Sequence, residues 1–324
     1  MDDLVTHHLL FITEVVTPLE VNEHSGAALR GNLFEAIWRR FCTNKAASLC
    51  AQCPLQALCP VSALVAPLRE DNPRGRDIPR PYIIIPPQTG ARCYAPGEQL
   101  TFGLTLFGSI IRLLPYLMLS MSAFEAAGLG KHREDQDGKR GRFTVKRVEC
   151  YHPLSGARQI IYQAGKVQVE AATLAVTATD VQAKAATLPK EKITLHFLTP
   201  TRIKDQEQPM QHVQFRPLIH RLLERLSALR AEYGDGQGQS FDERRHFVDL
   251  AEHVRCIEDA THWEQVSSYS RRTREHTAIG GLMGRATFAG DLAPFHELLV
   301  WGELIHVGKN CVKGNGWYRI EASG

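Results

Sequence analysis

The chain has no run of the roughly 18–20 apolar residues that a membrane span requires. Its most apolar stretch, 104–127, is broken by Gly108, Arg112, Pro115 and several serines. The first residues, Met1-Asp2-Asp3, put acids where a signal peptide needs a basic segment, so a cytoplasmic location is expected. There is no large excess of charge either. Lys and Arg number 38 against 35 Asp and Glu, and a formal +3 permits nucleic-acid binding without requiring it. No Gly-x-x-x-x-Gly-Lys-Ser/Thr loop and no His-Glu-x-x-His helix occurs, which argues against nucleotide hydrolysis and zinc proteolysis. Gly280-Gly281-Leu282-Met283-Gly284 lacks the βαβ context of a dinucleotide site.

Hydrophobic residues make up 44% of the 324, enough to bury the core of one large domain or two ordinary ones. Strands are expected at 9–21, 82–85, 100–106, 145–151, 159–162, 166–169 and 193–203. Helical periodicity marks 27–41, 109–126, 215–233, 241–257 and 295–305. Ser25 stands at the N-cap position of the first helix. The charged run 128–143 reads as a loop, 171–189 as a linker, and 280–289 as a hairpin. Strands and helices mix without βαβ alternation, so the fold class is α+β, divided into residues 1–185 and 190–324.

Four of the eight cysteines, Cys42, Cys50, Cys53 and Cys59, fall within eighteen residues as C-x7-C-x2-C-x5-C, inside a cysteine-rich insert at 42–64. In a reducing compartment disulfides are not expected, and a C-x2-C pair plus two further thiols completes a tetrahedral Cys₄ shell. Zinc is the expected metal, with an iron–sulfur cluster as the alternative. Four thiolates leave zinc no open position, so its role would be structural.

Near the end, residues 301–320 read WGELIHVGKNCVKGNGWYRI. A helix runs into a loop with Gly308, Gly314 and Gly316 that also carries Lys309 and Lys313. Glycine backbones and two cations make a candidate phosphate cradle, although an ordinary tight turn has the same composition. Tyr269 with Arg271, Arg272 and Arg274 forms a second basic group, Arg319 extends the first, and Lys139, Arg140, Arg142, Lys146 and Arg147 form a third. Local clusters of this kind are what an RNA footprint needs.

The glycine-rich tail resembles the signature of the RAMP-superfamily CRISPR-associated endoribonucleases that process precursor crRNA. GAALRGNLFEAIWRRF (26–41), PYIIIPP and LTFGLTLFG (81–108), ITLHFLTPTRIK (193–204) and 263–295 are similar to other segments of that family, in the same order. The resemblance implies two ferredoxin-like (RAMP/RRM-like) halves, with the metal-binding insert after the first helix and the glycine-rich loop at 308–316. It also implies metal-independent cleavage within the CRISPR repeat, the 2′-hydroxyl attacking to leave 2′,3′-cyclic phosphate and 5′-hydroxyl ends. The alternative is a noncatalytic subunit that holds crRNA in a CRISPR effector complex. Other subunits of such a complex are then expected partners.

Such cleavage needs a base, an acid and a cation. The resemblance places a histidine at or near the first helix, which favours His24 at a helix N-terminus suited to phosphate. His306, entering the glycine loop, is the second candidate. Family members without the histidine use basic residues, which keeps Lys45, Arg30 and Arg39 as candidates. Relatives often carry small or hydroxyl residues after the loop lysine, where this chain reads Lys309-Asn310-Cys311-Val312-Lys313.

Overall fold

In a computed structural model of the chain, described for residues 4–47, 50–67, 78–166, 168–205, 208–234, 241–270 and 275–321, two compact units form. One is Val5–Val176, with which Glu232–Gly234 group; the other begins at Thr177. Both mix helices with antiparallel sheets.

The first unit is built on β1 (Thr6–Val15), α1 (Gly26–Phe41), β2 (Tyr82–Ile85), β3 (Gln99–Phe107), the broken helix α2 (Leu114–Leu119) and α3 (Met121–Ala127), β4 (Phe143–Tyr151) and β5 (Arg158–Gln163). The sheet order is β2-β3-β1-β4-β5, so the first strand lies between the third and fourth. Helix α1 forms because Leu29, Leu33, Ala36 and Ile37 recur at helical spacing and are buried together. Aromatic rings fill the sheet–helix layer: Phe11 stacks on Phe102 at 5.1 Å, and Phe124 meets Phe102 and Phe143 edge-on at 5.7 and 5.4 Å. Each pair adds about 0.5–1.5 kcal/mol beyond area burial.

The second unit contains α4 (Ala178–Ala185), β6 (Lys192–Thr201), α5 (Phe215–Tyr233), α6 (Phe241–Leu250), β7 (Arg255–Glu264), β8 (Gly281–Ala289), α7 (His296–Ile305) and β9 (Tyr318–Glu321). The order β7-β8-β6-β9 again puts the first strand between the third and fourth. Both units thus share a β-α-β-β-α-β connection with all neighbours antiparallel. Phe215 packs on Phe288 and Phe295, each at 5.1 Å, and Phe197 on Tyr318 at 5.9 Å.

Several expectations are corrected. The helix over 109–126 is broken, with a 3₁₀ segment at Gly108–Leu113 and a new helix after Ser120; Pro115 starts α2 rather than interrupting it. The charged run 128–143 is a hairpin, Leu129–Arg133 against Lys139–Gly141. The stretch 171–189 holds α4, capped reciprocally by Thr177 and Asp180. The helix expected over 241–257 ends at Leu250, and β7 takes over from Arg255. Residues 281–289 are one strand, while the hairpin pairs Ser267–Ser270 with Glu275–Ala278. The described part of 166–169 is not strand, residue 167 lying outside the described residues.

Candidate nucleic-acid interface

The glycine loop of the second unit begins where α7 can no longer continue. His306 follows the helix at φ 62°, and Gly308, Asn310, Gly314 and Gly316 also lie at positive φ. At Gly316 (φ 75°) a Cβ would sit 1.8 Å from the Val307 carbonyl oxygen, and at Gly308 (φ 85°) 2.4 Å from that of Arg202. Both sites demand glycine for space as well as for backbone conformation.

Strand β6 deforms to receive this loop. Its pairing with β8 jumps from Phe197↔Gly284 to Thr201↔Leu282, a bulge that frees Leu198-Thr199-Pro200. Leu198 and Thr199 donate their N–H groups to the Trp317 carbonyl at 2.9 and 3.3 Å, and Gly316 donates to Pro200 at 3.1 Å. The Thr199 hydroxyl donates to Gly314 O at 2.8 Å and accepts from Trp317 N–H at 2.9 Å.

Most of the loop's amides are therefore spent inside the protein. Val307 donates to Gly316 O, Lys309 to Arg202 O, Lys313 to Asn310 O and Gly314 to Cys311 O, besides those of Gly316 and Trp317. The glycines thus set the loop's shape, and few of its amides are left to face an anion. Lys309 and Arg319 are exposed and Lys313 is half-buried. The Arg319 guanidinium lies 5.5 Å from the Trp317 ring centroid, within cation–π range.

The loop is also bolted to the base of the Ser267–Ala278 hairpin. The Asn315 amide, buried, donates to Ile279 O at 2.8 Å; Arg202 Nη1 donates to Ala278 O at 3.1 Å; Lys313 Nζ lies 3.4 Å from Ser268 Oγ. Arg271, Arg272 and Arg274 fall between the paired Ser270 and Glu275 but lie outside the described residues.

His306 is placed in the core. Its ring is fully buried, stacks at 6° on Trp317 with centroids 5.9 Å apart, and shares a 3.1 Å hydrogen bond between Nδ1 and Asn315 O. A side chain so enclosed shapes the loop rather than meeting a substrate.

In the first unit His24 is half-buried one residue before the Ser25 cap position. Ser25 makes no side-chain cap and the first turn of α1 carries no acid. Arg30 is half-buried, its guanidinium 5.7 Å from the Phe34 centroid, which favours packing over contact with RNA. Exposed Lys45 lies 5.7 Å from the Trp38 centroid, and Arg39 pairs with Glu35 at 2.6 Å.

The third basic group is largely neutralised. Lys139 pairs with Asp137 at 3.7 Å, Lys146 with Glu14 at 3.1 Å and Arg147 with Glu149 at 2.8 Å, while Arg140 donates to Asn32 at 2.9 Å. Adjacent hairpin cations follow suit, Arg133 pairing with Asp135 and Lys131 with Glu20. Asp135, Asp137 and Glu149 lie two residues from the cations they pair with, whereas Glu14 and Glu20 come from distant segments that sequence counting could not bring in.

The four cysteines of the insert are all half-buried free thiols. Burial pushes the Cys50 thiol up, and the charges of Cys59, Cys42 and Cys53 push it further, but the described residues do not bring the four sulfurs together as a ligand set. Asn44 Nδ2 approaches Cys53 Sγ at 3.7 Å, the kind of contact that supports a metal-bound thiolate.

Two family models match the chain. One, described as an N-terminal domain, spans residues 4–174; the other, CRISPR-associated endoribonuclease Cas6, spans 195–318 and so takes in the glycine loop and the strands that hold it. Residues 195–318 are thus similar to the Cas6 family of CRISPR endoribonucleases. Among solved structures, a Cas6 product complex is 15% identical with TM-score 0.56, covering 98% of this chain and 99% of that one. Thermus thermophilus Cas6 is 16% identical with TM-score 0.55 and coverage of 98% and 99%. A partial Cas6–RT–Cas1–Cas2 complex is 12% identical with TM-score 0.60, all of this chain covering 46% of that one. At these identities the likeness is one of fold. No curated protein sequence matches the chain.

Sequence reasoning missed Thr199 and Arg202, which hold the loop from outside, and Asn315 within it. Nothing in their local pattern marks them, because their roles arise from a bulge and from long-range hydrogen bonds.

Proposed function

We propose that the chain is a crRNA-processing endoribonuclease that binds CRISPR repeat RNA and cleaves it by attack of the 2′-hydroxyl on the adjacent phosphorus, each unit being one ferredoxin-like half. Supporting the reading is one observation above others: the cationic glycine loop, inside the Cas6-matched segment, is pinned to the base of the arginine-bearing hairpin. That arrangement presents Lys309 and Lys313 beside a segment rich in arginine, and arginine forks fit phosphate oxygens. The product complex among the fold matches, a property of that protein, is in keeping with an RNA ligand here.

In this reading the 2′-oxygen loses its proton to a base, forms a bond to phosphorus, and the bond to the 5′-oxygen breaks as an acid protonates it. The products carry 2′,3′-cyclic phosphate and 5′-hydroxyl ends. His24 serves as the proton-transfer residue, since a histidine pKa lies close to working pH. Lys45 is the alternative basic group of the first unit. Lys309 and Lys313 bind phosphate, with Gly308, Gly314 and Gly316 shaping the loop and Arg271, Arg272 and Arg274 contacting RNA.

Cys42, Cys50, Cys53 and Cys59 would hold a structural zinc, or alternatively an iron–sulfur cluster. The C-x7-C-x2-C-x5-C spacing and the amide donor beside Cys53 support this reading, and binding would have to draw the four sulfurs together. The group would tie the insert to the end of α1 and supply no step of the cleavage.

Burial of His306 leaves a single described histidine of the two proposed, and this favours a second reading, a noncatalytic crRNA-holding subunit. Cleavage of a cognate repeat in excess EDTA separates the two. Wild type should yield the cyclic phosphate, and His24→Ala should lose roughly a hundredfold or more. Tight binding without cleavage across pH would overturn the enzyme reading.

A further inference from the structure

A buried carboxyl stands behind the glycine loop with no part in the proposed chemistry. Glu303, on α7 three residues before His306, is half-buried, and its Oε1 accepts the backbone N–H of Ile320 at 2.8 Å. The Tyr318 hydroxyl donates to Leu299 O at 2.7 Å, so β9 is fastened to α7 at two points. Between them lies Arg319, exposed and 5.5 Å from the Trp317 ring that stacks on His306. A carboxyl is thus hydrogen-bonded to the residue that follows Arg319 on the loop's outgoing strand.

We propose that Glu303 is a positioning residue whose protonation governs how strongly Arg319, and the loop that β9 closes, attract an RNA phosphate. When Glu303 is neutral, the Arg319 charge faces outward uncompensated. When Glu303 ionises, its negative charge opposes Arg319 and repels phosphate. RNA binding and protonation of Glu303 then favour each other, as linkage requires. This rests on the RNA-binding reading of the loop and deepens it by adding a control on affinity.

The groups facing Glu303 decide the working range. Burial raises its carboxyl to about 7, opposed by the Ile320 hydrogen bond and by the charges of Lys184 from α4 and Arg319 from β9. Tyr318, buried beside it, is itself pushed up by burial and by Glu303, so it stays neutral across the same range. His196, opposite Arg319 on β6 and 3.1 Å from Glu321, also faces Arg319 and is controlled for by substitution.

The test is the affinity for a cognate repeat RNA, made noncleavable by a 2′-deoxy substitution at the scissile nucleotide, measured from pH 6 to pH 8 at fixed salt. Wild type should weaken as pH rises, with a slope of up to about tenfold per unit for one linked proton. Glu303→Gln keeps an acceptor for Ile320 N–H and should flatten that slope, while His196→Asn should leave most of it. Arg319→Met should flatten it too, and serves if Glu303→Gln proves unfolded by circular dichroism. Equal slopes in wild type, Glu303→Gln and Arg319→Met would overturn the proposal while leaving RNA binding intact. No affinity at any pH would overturn the RNA reading and this proposal with it.

Discussion

Asn315 reaches across the fold to Ile279: its side-chain amide donates to the Ile279 carbonyl at 2.8 Å, thirty-six residues away in sequence. Asn315 is buried, so the bond cannot be exchanged for water. It couples the glycine loop to the strand end that follows the arginine hairpin.

Asn315→Ala leaves the Ile279 carbonyl without this donor and should cost about 1–3 kcal/mol of stability. If loop and hairpin act together, RNA affinity should fall by more than Lys309→Ala alone produces. Denaturant melts and filter binding on the same samples check both.

Gly316→Ala should be severely destabilising, because backbone conformation and a 1.8 Å approach to Val307 O both oppose a Cβ. Gly31→Ala in α1 provides the contrast, since no atom lies within 4 Å of its Cβ position. There the substitution should stabilise by roughly 0.5–1 kcal/mol through helix propensity. Equal effects at the two sites would contradict the loop geometry.

Lys309→Ala and Lys313→Ala should each weaken RNA binding and lower the salt slope by about one unit if each amine contacts a phosphate. Lys139→Ala, whose amine already pairs with Asp137, should leave the slope nearly unchanged. Binding isotherms from 50 to 300 mM salt would distinguish them.

Acid should loosen the first unit through its buried histidines. His8 lies between the Thr6 and Thr105 hydroxyls, both at 2.9 Å, and burial, then His152 and His7, lower its pKa to about 3. Its folded pKa is below the ordinary 6.5, so the unfolded chain takes up the proton first. Stability is complete above about pH 6.5 and declines as pH falls toward 3, by up to about 1.4 kcal/mol per unit. His8→Gln should flatten that decline in urea melts.

If the cysteine quartet holds a metal, a strong chelator should lower the melting temperature and release about one zinc per chain, and Cys53→Ser should melt low from the start. Metal analysis that finds neither zinc nor iron would remove the site.

How far the sequence disclosed this depended on periodicity. Helices α5 and α7 carry apolar residues at clear helical spacing, and they were legible nearly to the residue. Strand β7 was not, because it is exposed along most of its length and has no alternation to read. The glycines at 280, 281 and 284 suggested a bend, yet they lie where neighbouring backbones crowd in, a Cβ added at Gly281 falling 2.5 Å from the Thr201 backbone. His306 had a legible warning in its apolar neighbours Ile305 and Val307. The paired Lys131 and Lys146 had none, because Glu20 and Glu14 reach them only once the chain has folded.

The position of β9 has a consequence for the order of assembly. It completes the second sheet by pairing with β6, the first strand of that sheet, more than a hundred residues earlier. During synthesis the far edge of β6 stays bare until residues 318–321 have left the ribosome. The glycine loop immediately before β9 can take its final form only then. A ribosome stalled after Gly316 should therefore carry a chain with most of its helices and no RNA affinity, and the last few residues would switch that affinity on.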